Sequence, residues 1–323
     1  MEEKQQHDIR LNGFGFFDAK LRCEGDWNSP NKNAVIIISL NIHLKPNELS
    51  VTITDDDGNQ FNTGIWPTEK WKKFKETFVK TATDFWDGKF WLKTPENYTS
   101  LNFNSTPLKT QVVSEIKRNC FLGPFGCENV EYKRIEIQRN MVRPNIECRF
   151  EINLTDIDLL DFAHTIYVNY IVSKISNGKD VKIKEGEPSG FRSSAHNYSQ
   201  SDIELIERKY IVESQTPLYS ITTFKIPYKV ILHEVGHLMG LEHIGVANGE
   251  LLCKAEIDKD EIKGSNKNIC YGATLESFSD VMGGGMSLSV TDAMPWQRAI
   301  SILTNTKRED WKVSKVLLFP EHI

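Results

Sequence analysis

The sequence has no excess of basic residues, no long hydrophobic run and no internal repeat. Its 39 Lys and Arg against 44 Asp and Glu give a formal net charge of −5, so no surplus of cations is available to neutralise nucleic-acid phosphates. The apolar run at residues 34–40 is far shorter than the roughly 20 residues that cross a bilayer. These absences predict a protein with no nucleic-acid partner and no membrane span.

No two cysteines have the C-x-x-C spacing that is typical of zinc ribbons and redox sites. Two pairs flank short segments, Cys120 with Cys127 and Cys253 with Cys270, and each pair would close a surface loop. An even number of cysteines in a polar chain favours disulfides, with buried free thiols as the alternative. The six cysteines stand at positions 23, 120, 127, 148, 253 and 270.

The polar residues 1–10 contain no apolar core of a signal peptide. Because the cysteines favour an oxidising compartment, we expect a secreted protein or an effector delivered by a dedicated secretion machine. Such a protein would reach its compartment as a processed chain or by a route that needs no signal peptide.

Hydrophobic periodicity predicts a mixed sheet with a helix packed against one face. Apolar residues at steps of three or four after Pro67 predict an amphipathic helix with Thr68 as its N-cap. Its aromatic stripe is explained by core packing better than by a ligand platform.

Alternating or β-branched segments predict strands at residues 35–44, 89–93, 131–138, 147–154 and 164–172, and a further return to the sheet at 208–225. Residues 176–201 read as an exposed loop, and residues 291–304 as a helix capped by Thr291 or Asp292.

The segment His233-Glu234-Val235-Gly236-His237 carries the clearest chemical signal. Residues four apart lie on one face of a helix, so His233 and His237 can present two imidazole nitrogens to one metal ion. Glu234 is rotated by about 100° from His233, which leaves its carboxylate free to act on a water at the same ion.

A third ligand at His243 requires the helix to stop, because six residues of continuous helix correspond to about 600° of rotation. Gly240 stands where a left-handed C-terminal residue would turn the chain back towards the metal. Three neutral nitrogen ligands and one open position are typical of a catalytic zinc site.

This segment resembles the metzincin superfamily of zinc metallopeptidases, whose extended motif H-E-x-x-H-x-x-G-x-x-H matches residues 233–243 without a gap. The resemblance implies that His233, His237 and His243 bind Zn²⁺ and that Glu234 is the general base. It also implies a turn beneath the metal that contains a methionine. Residues 279–286 fit that turn, with Met282 as the turn residue and Met286 as the alternative.

The subfamily is not assignable, because Ile244 follows the third histidine and no tyrosine stands two positions after Met282. Tyr271 and Tyr198 are the candidates for stabilising an oxyanion, with ordinary packing as the alternative. A latch in which the Cys23 thiolate silences the zinc is a further hypothesis, and His196 is a candidate for lining the cleft.

The resemblance implies an α+β, metzincin-like fold. It consists of a twisted mixed sheet with a backing helix and an active-site helix, and of a smaller C-terminal subdomain with the methionine turn and a terminal helix. Residues 1–65 would form an N-terminal extension with strands, packed on the catalytic domain. Residues 66–323 would form that domain, with an upper subdomain to about residue 240 and a lower subdomain at 241–323.

The predicted function is that of a zinc-dependent endopeptidase that hydrolyses an extended polypeptide, with oligomeric state undetermined. The alternatives are a secreted toxin or effector hydrolase that acts on a cell-wall or other non-protein amide, and a zinc-binding module with little turnover.

Overall fold

The structure is a computed structural model, and it describes residues 3–11, 15–22, 34–55, 57–95, 111–119, 128–136, 145–156, 163–184, 187–214, 220–247, 270–272 and 274–315. Fifteen strands are described. They are β1 (Glu3–Arg10), β2 (Phe16–Arg22), β3 (Ala34–Pro46), β4 (Thr52–Thr54), β5 (Gln60–Gly64), β6 (Phe90–Lys93), β7 (Gln111–Asn119), β8 (Glu128–Glu136), β9 (Asn145–Leu154), β10 (His164–Ser176), β11 (Lys179–Lys182), β12 (Asn197–Ser199), β13 (Ile206–Ser214), β14 (Ser220–Tyr228) and β15 (Lys312–Lys315). The α-helices are α1 (Thr68–Trp86), α2 (Val230–Leu238), α3 (Ile244–Ala247), α4 (Leu275–Phe278) and α5 (Met294–Thr304).

Eleven of these strands form one mixed sheet, whose main path runs β15-β6-β9-β3-β10-β5-β4. The central strands β9, β3 and β10 are parallel, whereas β6, β15, β5 and β4 join in antiparallel fashion. The remaining strands, β1, β2, β11 and β12, pair at the side of this path. The α+β class is therefore confirmed.

Strand β3 lies at the centre of the sheet. Its first half pairs with β2 and its second half with β10, while β9 runs along its other side. Every second residue from Ala34 to Leu44 is buried, as expected of a strand with one face in the core. The strands described within residues 1–65 thus belong to the same sheet as the later strands, and β3 supplies its middle.

Helix α1 packs its apolar stripe on one face of this sheet. Phe74, Phe78, Ala82 and Trp86 are buried, which confirms the expected packing role of the stripe. The Trp86 and Trp296 rings lie 6.5 Å apart between centroids, so α1 and α5 share that face. Helix α1 begins at Thr68 with Pro67 in the N-cap position, one residue before the predicted cap.

Two of the expectations for the second half of the chain are wrong. The described residues 208–214 and 220–225 do not return to the main sheet. They belong to β13 and β14, which pair with each other in a separate two-stranded antiparallel sheet. Residues 176–201 are not wholly a loop, since β11 and β12 pair with β10.

The C-terminal helix begins later than expected. A 3-10 turn at Val290–Ala293 precedes α5, which starts at Met294, and Ser289 caps that turn together with the Asp292 carboxylate. Pro295 near the start of α5 is compatible with a first helical turn, which needs no backbone donor there. Neither Thr291 nor Asp292 is therefore the N-cap of the α-helix.

The cysteine predictions fall largely outside the described residues. Cys148 is a buried free thiol, whereas Cys270 is disulfide-bonded and its partner lies outside the described part. Cys23, Cys120, Cys127 and Cys253 all lie outside it. The pairings and the Cys23 latch stay predictions.

Among the described helices, none has the length and apolar character needed to cross a membrane.

His164, in β10, contacts Phe16, in β2. We expect its titration to make the free energy of unfolding depend on pH. Its Nε2 lies 2.7 Å from the Phe16 carbonyl oxygen, and burial lowers its pKa from 6.5 to about 4. The unfolded chain therefore binds a proton between about pH 6.5 and pH 4 that the folded chain does not, so stability falls as the pH falls through this window.

We expect this term to reach on the order of 3 kcal/mol, and His164→Gln, which retains a donor for Phe16, to reduce the loss. Urea unfolding of the metal-free protein at pH 7 and pH 4 measures it. An equal loss of stability in wild type and variant would contradict the assignment to His164.

Candidate metal centre

Helix α2 carries the first two histidines one turn apart. It starts two residues after β14 ends at Tyr228, and nearly all of its residues are buried, including His233 and Glu234. His233 and His237 share one face, as their four-residue spacing requires. Their ring centroids lie 4.7 Å apart.

The end of α2 brings in the third histidine. Gly240 has a φ of +84°, its amide donates to the His237 carbonyl at 2.8 Å, and the Leu241 amide donates to the Gly236 carbonyl at 2.9 Å. This pair of bonds is a Schellman motif, which ends a helix and reverses the chain. His243 follows three residues later with its ring centroid 4.8 Å from that of His237.

The Nε2 atoms of His233, His237 and His243 lie close together. The Nε2 of His237 lies 3.1 Å from that of His233 and 3.3 Å from that of His243, and all three ligand atoms lie within 4.8 Å of one another. Two metal–nitrogen bonds of about 2.05 Å at a tetrahedral angle place their nitrogens about 3.3 Å apart. The three histidines therefore lie within metal-binding distance.

Backbone carbonyls determine which ring nitrogens face one another. Nδ1 of His233 lies 2.7 Å from the Val281 oxygen, and Nδ1 of His237 lies 2.7 Å from the Leu241 oxygen. A carbonyl oxygen only accepts, so each Nδ1 carries a proton and each neutral Nε2 carries a lone pair. Burial, followed by the neighbouring His237, holds the pKa of His233 well below its usual range. The facing lone pairs repel one another unless a cation lies between them, and the donor set therefore fits a metal ion.

The turn at residues 279–286 supports this centre from below. Its Val281 carbonyl orients His233, and its Met282 carbonyl accepts the Ile244 amide at 3.0 Å, next to His243. The Met282 side chain packs against Gly236 so closely that a Cβ there would lie 2.3 Å from its sulfur. Met286 is only half-buried. Met282 is thus the methionine that contacts α2.

Two buried carboxyl groups hold the turn. Asp280 accepts the Met282 amide at 2.8 Å, Asp292 accepts the Ser289 amide at 2.6 Å, and the two carboxyl groups are hydrogen-bonded to each other. Burial raises the pKa of both, and the charge of Asp280 further raises that of Asp292. A proton shared by this pair is the physical consequence, since two adjacent buried carboxylates repel.

Glu234 directly follows His233 in α2 and has 7% of its surface exposed. Burial, with a smaller effect of Asp202, raises the pKa of Glu234 to about 8, while Arg208 and then Arg192 act in the opposite direction. Asp202 is itself buried, and burial raises its pKa to about 6. The carboxyl group of Glu234 therefore binds a proton more tightly than an exposed glutamate does.

The tyrosine candidates have different positions. The Tyr271 ring lies 4.4 Å from the His243 ring and 5.8 Å from the His233 ring, so it borders the centre. Tyr198 is fully buried beside Phe78, and its hydroxyl has no hydrogen-bond partner among the described residues. His196 lies next to His164, with 5.8 Å between ring centroids.

Sequence reasoning did not single out Arg208 or Tyr228. Tyr228 ends β14 with its ring 5.9 Å from that of His233, and the Arg208 guanidinium lies 3.6 Å above the Tyr228 ring centre. The alternation of Arg208 and Tyr210 along β13 puts both on one face of a strand, but no sequence signal shows that this face borders the metal centre.

Comparisons of the chain with models of protein families, with curated proteins and with solved structures found no significant match. The evidence for a metal site is therefore the geometry of the three histidines.

Gly240→Ala tests whether the end of α2 determines the position of His243. The new Cβ would lie 2.9 Å from the Leu11 Cβ, and the left-handed backbone costs about 1–2 kcal/mol for a non-glycine residue. We expect metal affinity to fall about tenfold or more, because His243 shifts.

Gly178→Ala is the matched control. Gly178 also has a positive φ, +72°, but it has no atom within 4 Å of the added Cβ and lies in the β10–β11 turn. This control should lose stability without losing metal affinity. Calorimetric zinc titration measures both variants, and an unchanged affinity for Gly240→Ala would contradict the role of Gly240.

Proposed function

We propose that this protein is a zinc-dependent metalloendopeptidase of the metzincin type. The observation that carries the proposal is the convergence of three histidine Nε2 atoms, with the buried Glu234 carboxyl group directly following the first ligand in α2. The Met282 turn beneath the ligands supports the same reading.

Zinc is the proposed ion because three neutral imidazoles and a free fourth position suit its tetrahedral coordination. When bound, zinc lowers the pKa of a coordinated water and polarises the scissile carbonyl group. His233, His237 and His243 would hold it. Val281 and Leu241 keep the first two rings in the tautomer that leaves Nε2 free to bind.

Glu234 would move the proton. As a general base it takes a proton from the attacking water, and it then delivers that proton to the leaving amine. Burial raises the pKa of Glu234, which helps its carboxyl group to keep a proton between the two steps, while the positive charge of a bound zinc ion would favour the carboxylate that first accepts it. Tyr271, whose ring lies 4.4 Å from that of His243, is the proposed stabiliser of a developing oxyanion.

The proposed substrate is an extended polypeptide that pairs with an edge strand of the sheet. We further propose an exported protein, and the disulfide bond at Cys270 supports an oxidising compartment.

Glu234→Gln separates metal binding from turnover. The variant keeps all three ligands but has no carboxylate to accept a proton, so we expect one zinc per chain and a loss of peptide cleavage of about 100-fold or more. His237→Ala should lose both zinc and cleavage. Metal analysis together with cleavage of a peptide library measures both.

Glu242→Gln is the matched control for that change. It makes the same substitution within the motif at a residue that is only half-buried, and it should retain both zinc and cleavage. Proteolysis by Glu234→Gln at the wild-type rate would contradict the role of Glu234 as the general base.

The choice of substrate is tested separately. We expect the zinc-loaded protein to cleave a denatured protein mixture and to leave a peptidoglycan preparation intact. Release of peptidoglycan fragments alone would point to a non-protein amide. Stoichiometric zinc with no product from either preparation would point to a binding module.

A further inference from the structure

One face of the β13–β14 hairpin forms a wall beside the metal centre. Arg208 and Tyr210 are two residues apart in β13 and therefore point to the same side. Tyr210 packs on Phe278 with 5.0 Å between ring centroids, and Arg208 stacks over Tyr228 at 3.6 Å. The intervening Lys209 is exposed. The side chains of Arg208 and Tyr210 are thus on the side of β13 that borders the centre, whereas Lys209 points to solvent.

Two aromatic rings, those of Tyr228 and Tyr271, lie between the Arg208 guanidinium and the histidine ligands. The guanidinium carbon lies 3.6 Å from the ring centre of Tyr228 and 5.5 Å from that of Tyr271. These rings border His233 at 5.9 Å and His243 at 4.4 Å. Arg208 also acts electrostatically on both Glu234 and His233. The guanidinium therefore lies at the edge of the reacting centre.

Among the residues that the structure describes, no carboxylate lies within ion-pair distance of the Arg208 guanidinium, although its charge acts on the Glu234 carboxyl group. Other cations of the chain do have such a partner: Lys225, in the same hairpin, pairs with Glu207 at 2.9 Å, and Arg149 pairs with Asp87 at 2.7 Å. In the described part of the chain, the contacts of the Arg208 guanidinium are with the rings of Tyr228 and Tyr271. Stacking uses the flat face of a guanidinium and leaves its N–H edges free to bind a carboxylate with two parallel hydrogen bonds.

We propose that Arg208 binds a carboxylate group of the substrate, so that the centre selects peptides with an acidic residue or a free C-terminus next to the cleaved bond. This inference rests on the proposed peptidase function. The whole chain has a net charge of −5, so it does not attract acidic peptides in general. Recognition is local, and it depends on one side chain.

Cleavage of a peptide library by wild type, Arg208→Gln and Lys209→Gln tests the selection. Both substitutions remove one positive charge from β13, but only the first removes it from the face that borders the centre. We expect wild type and Lys209→Gln to favour acidic peptides about tenfold or more, and Arg208→Gln to lose that preference.

Two pairs of peptides distinguish the source of the carboxylate. Glutamate against glutamine beside the scissile bond tests a side chain, and a free against an amidated C-terminus tests the main chain. A preference in either pair that disappears in Arg208→Gln supports the proposal. No preference in either pair for wild type overturns it, while cleavage itself would leave the peptidase function standing.

A binding measurement removes the dependence on turnover. Succinic monohydroxamic acid and butyrohydroxamic acid both chelate zinc, but only the first carries a carboxylate. Calorimetry on zinc-loaded proteins should show about tenfold tighter binding of the first by wild type and equal binding by Arg208→Gln. Unchanged affinity of Arg208→Gln for butyrohydroxamic acid shows that its metal site is intact.

Arg208→Lys keeps the charge but not the planar fork, and it should retain only part of the preference. Equal affinities of wild type for the two hydroxamic acids would overturn the role of Arg208. If wild type prefers succinic monohydroxamic acid but cleaves no peptide, the result would support carboxylate binding by Arg208 and contradict the peptidase function.

Discussion

The hydrogen bonds from two imidazole Nδ1 atoms to backbone carbonyls are the interactions on which the centre depends. They fix the tautomer of His233 and His237, and thereby direct two lone pairs to one point. One acceptor, Leu241, belongs to the chain reversal after α2, and the other, Val281, to the turn below. The two carbonyls thus couple the local end of a helix to a segment about 40 residues later in the chain.

Much of the remaining structure holds these two carbonyls in place. The Asp280–Asp292 pair fixes the turn from beneath, and the packing of Met282 against Gly236 determines how close the turn lies to α2. Such a concentration of buried polar groups costs stability, because each must be desolvated. The large apolar core of the sheet, α1 and α5 offsets that cost. A rigid support of this kind is what a metal centre needs if its ligands are to keep their geometry.

The parts of the fold that sequence reasoning predicted are those governed by local periodicity. The alternation in β3 and the three-to-four spacing in α1 each reflect a single element with one buried face. The β13–β14 hairpin was misplaced because its residues alternate as any half-buried strand does, and alternation does not say which strand is the partner. The predicted start of α5 is too early, because Ser289 and Asp292 cap a 3-10 turn that precedes the helix.

For the centre itself, the sequence alone determined the identity and spacing of the three histidines, the glutamate between them and the glycine at the turn. Helical geometry makes that spacing sufficient to predict their convergence. Only the tertiary structure decided which methionine lies beneath the centre, which tyrosine borders it and that Arg208 faces it. Those contacts join segments far apart in the chain, and they depend on how strands pair and pack, for which neither spacing nor composition carries a rule.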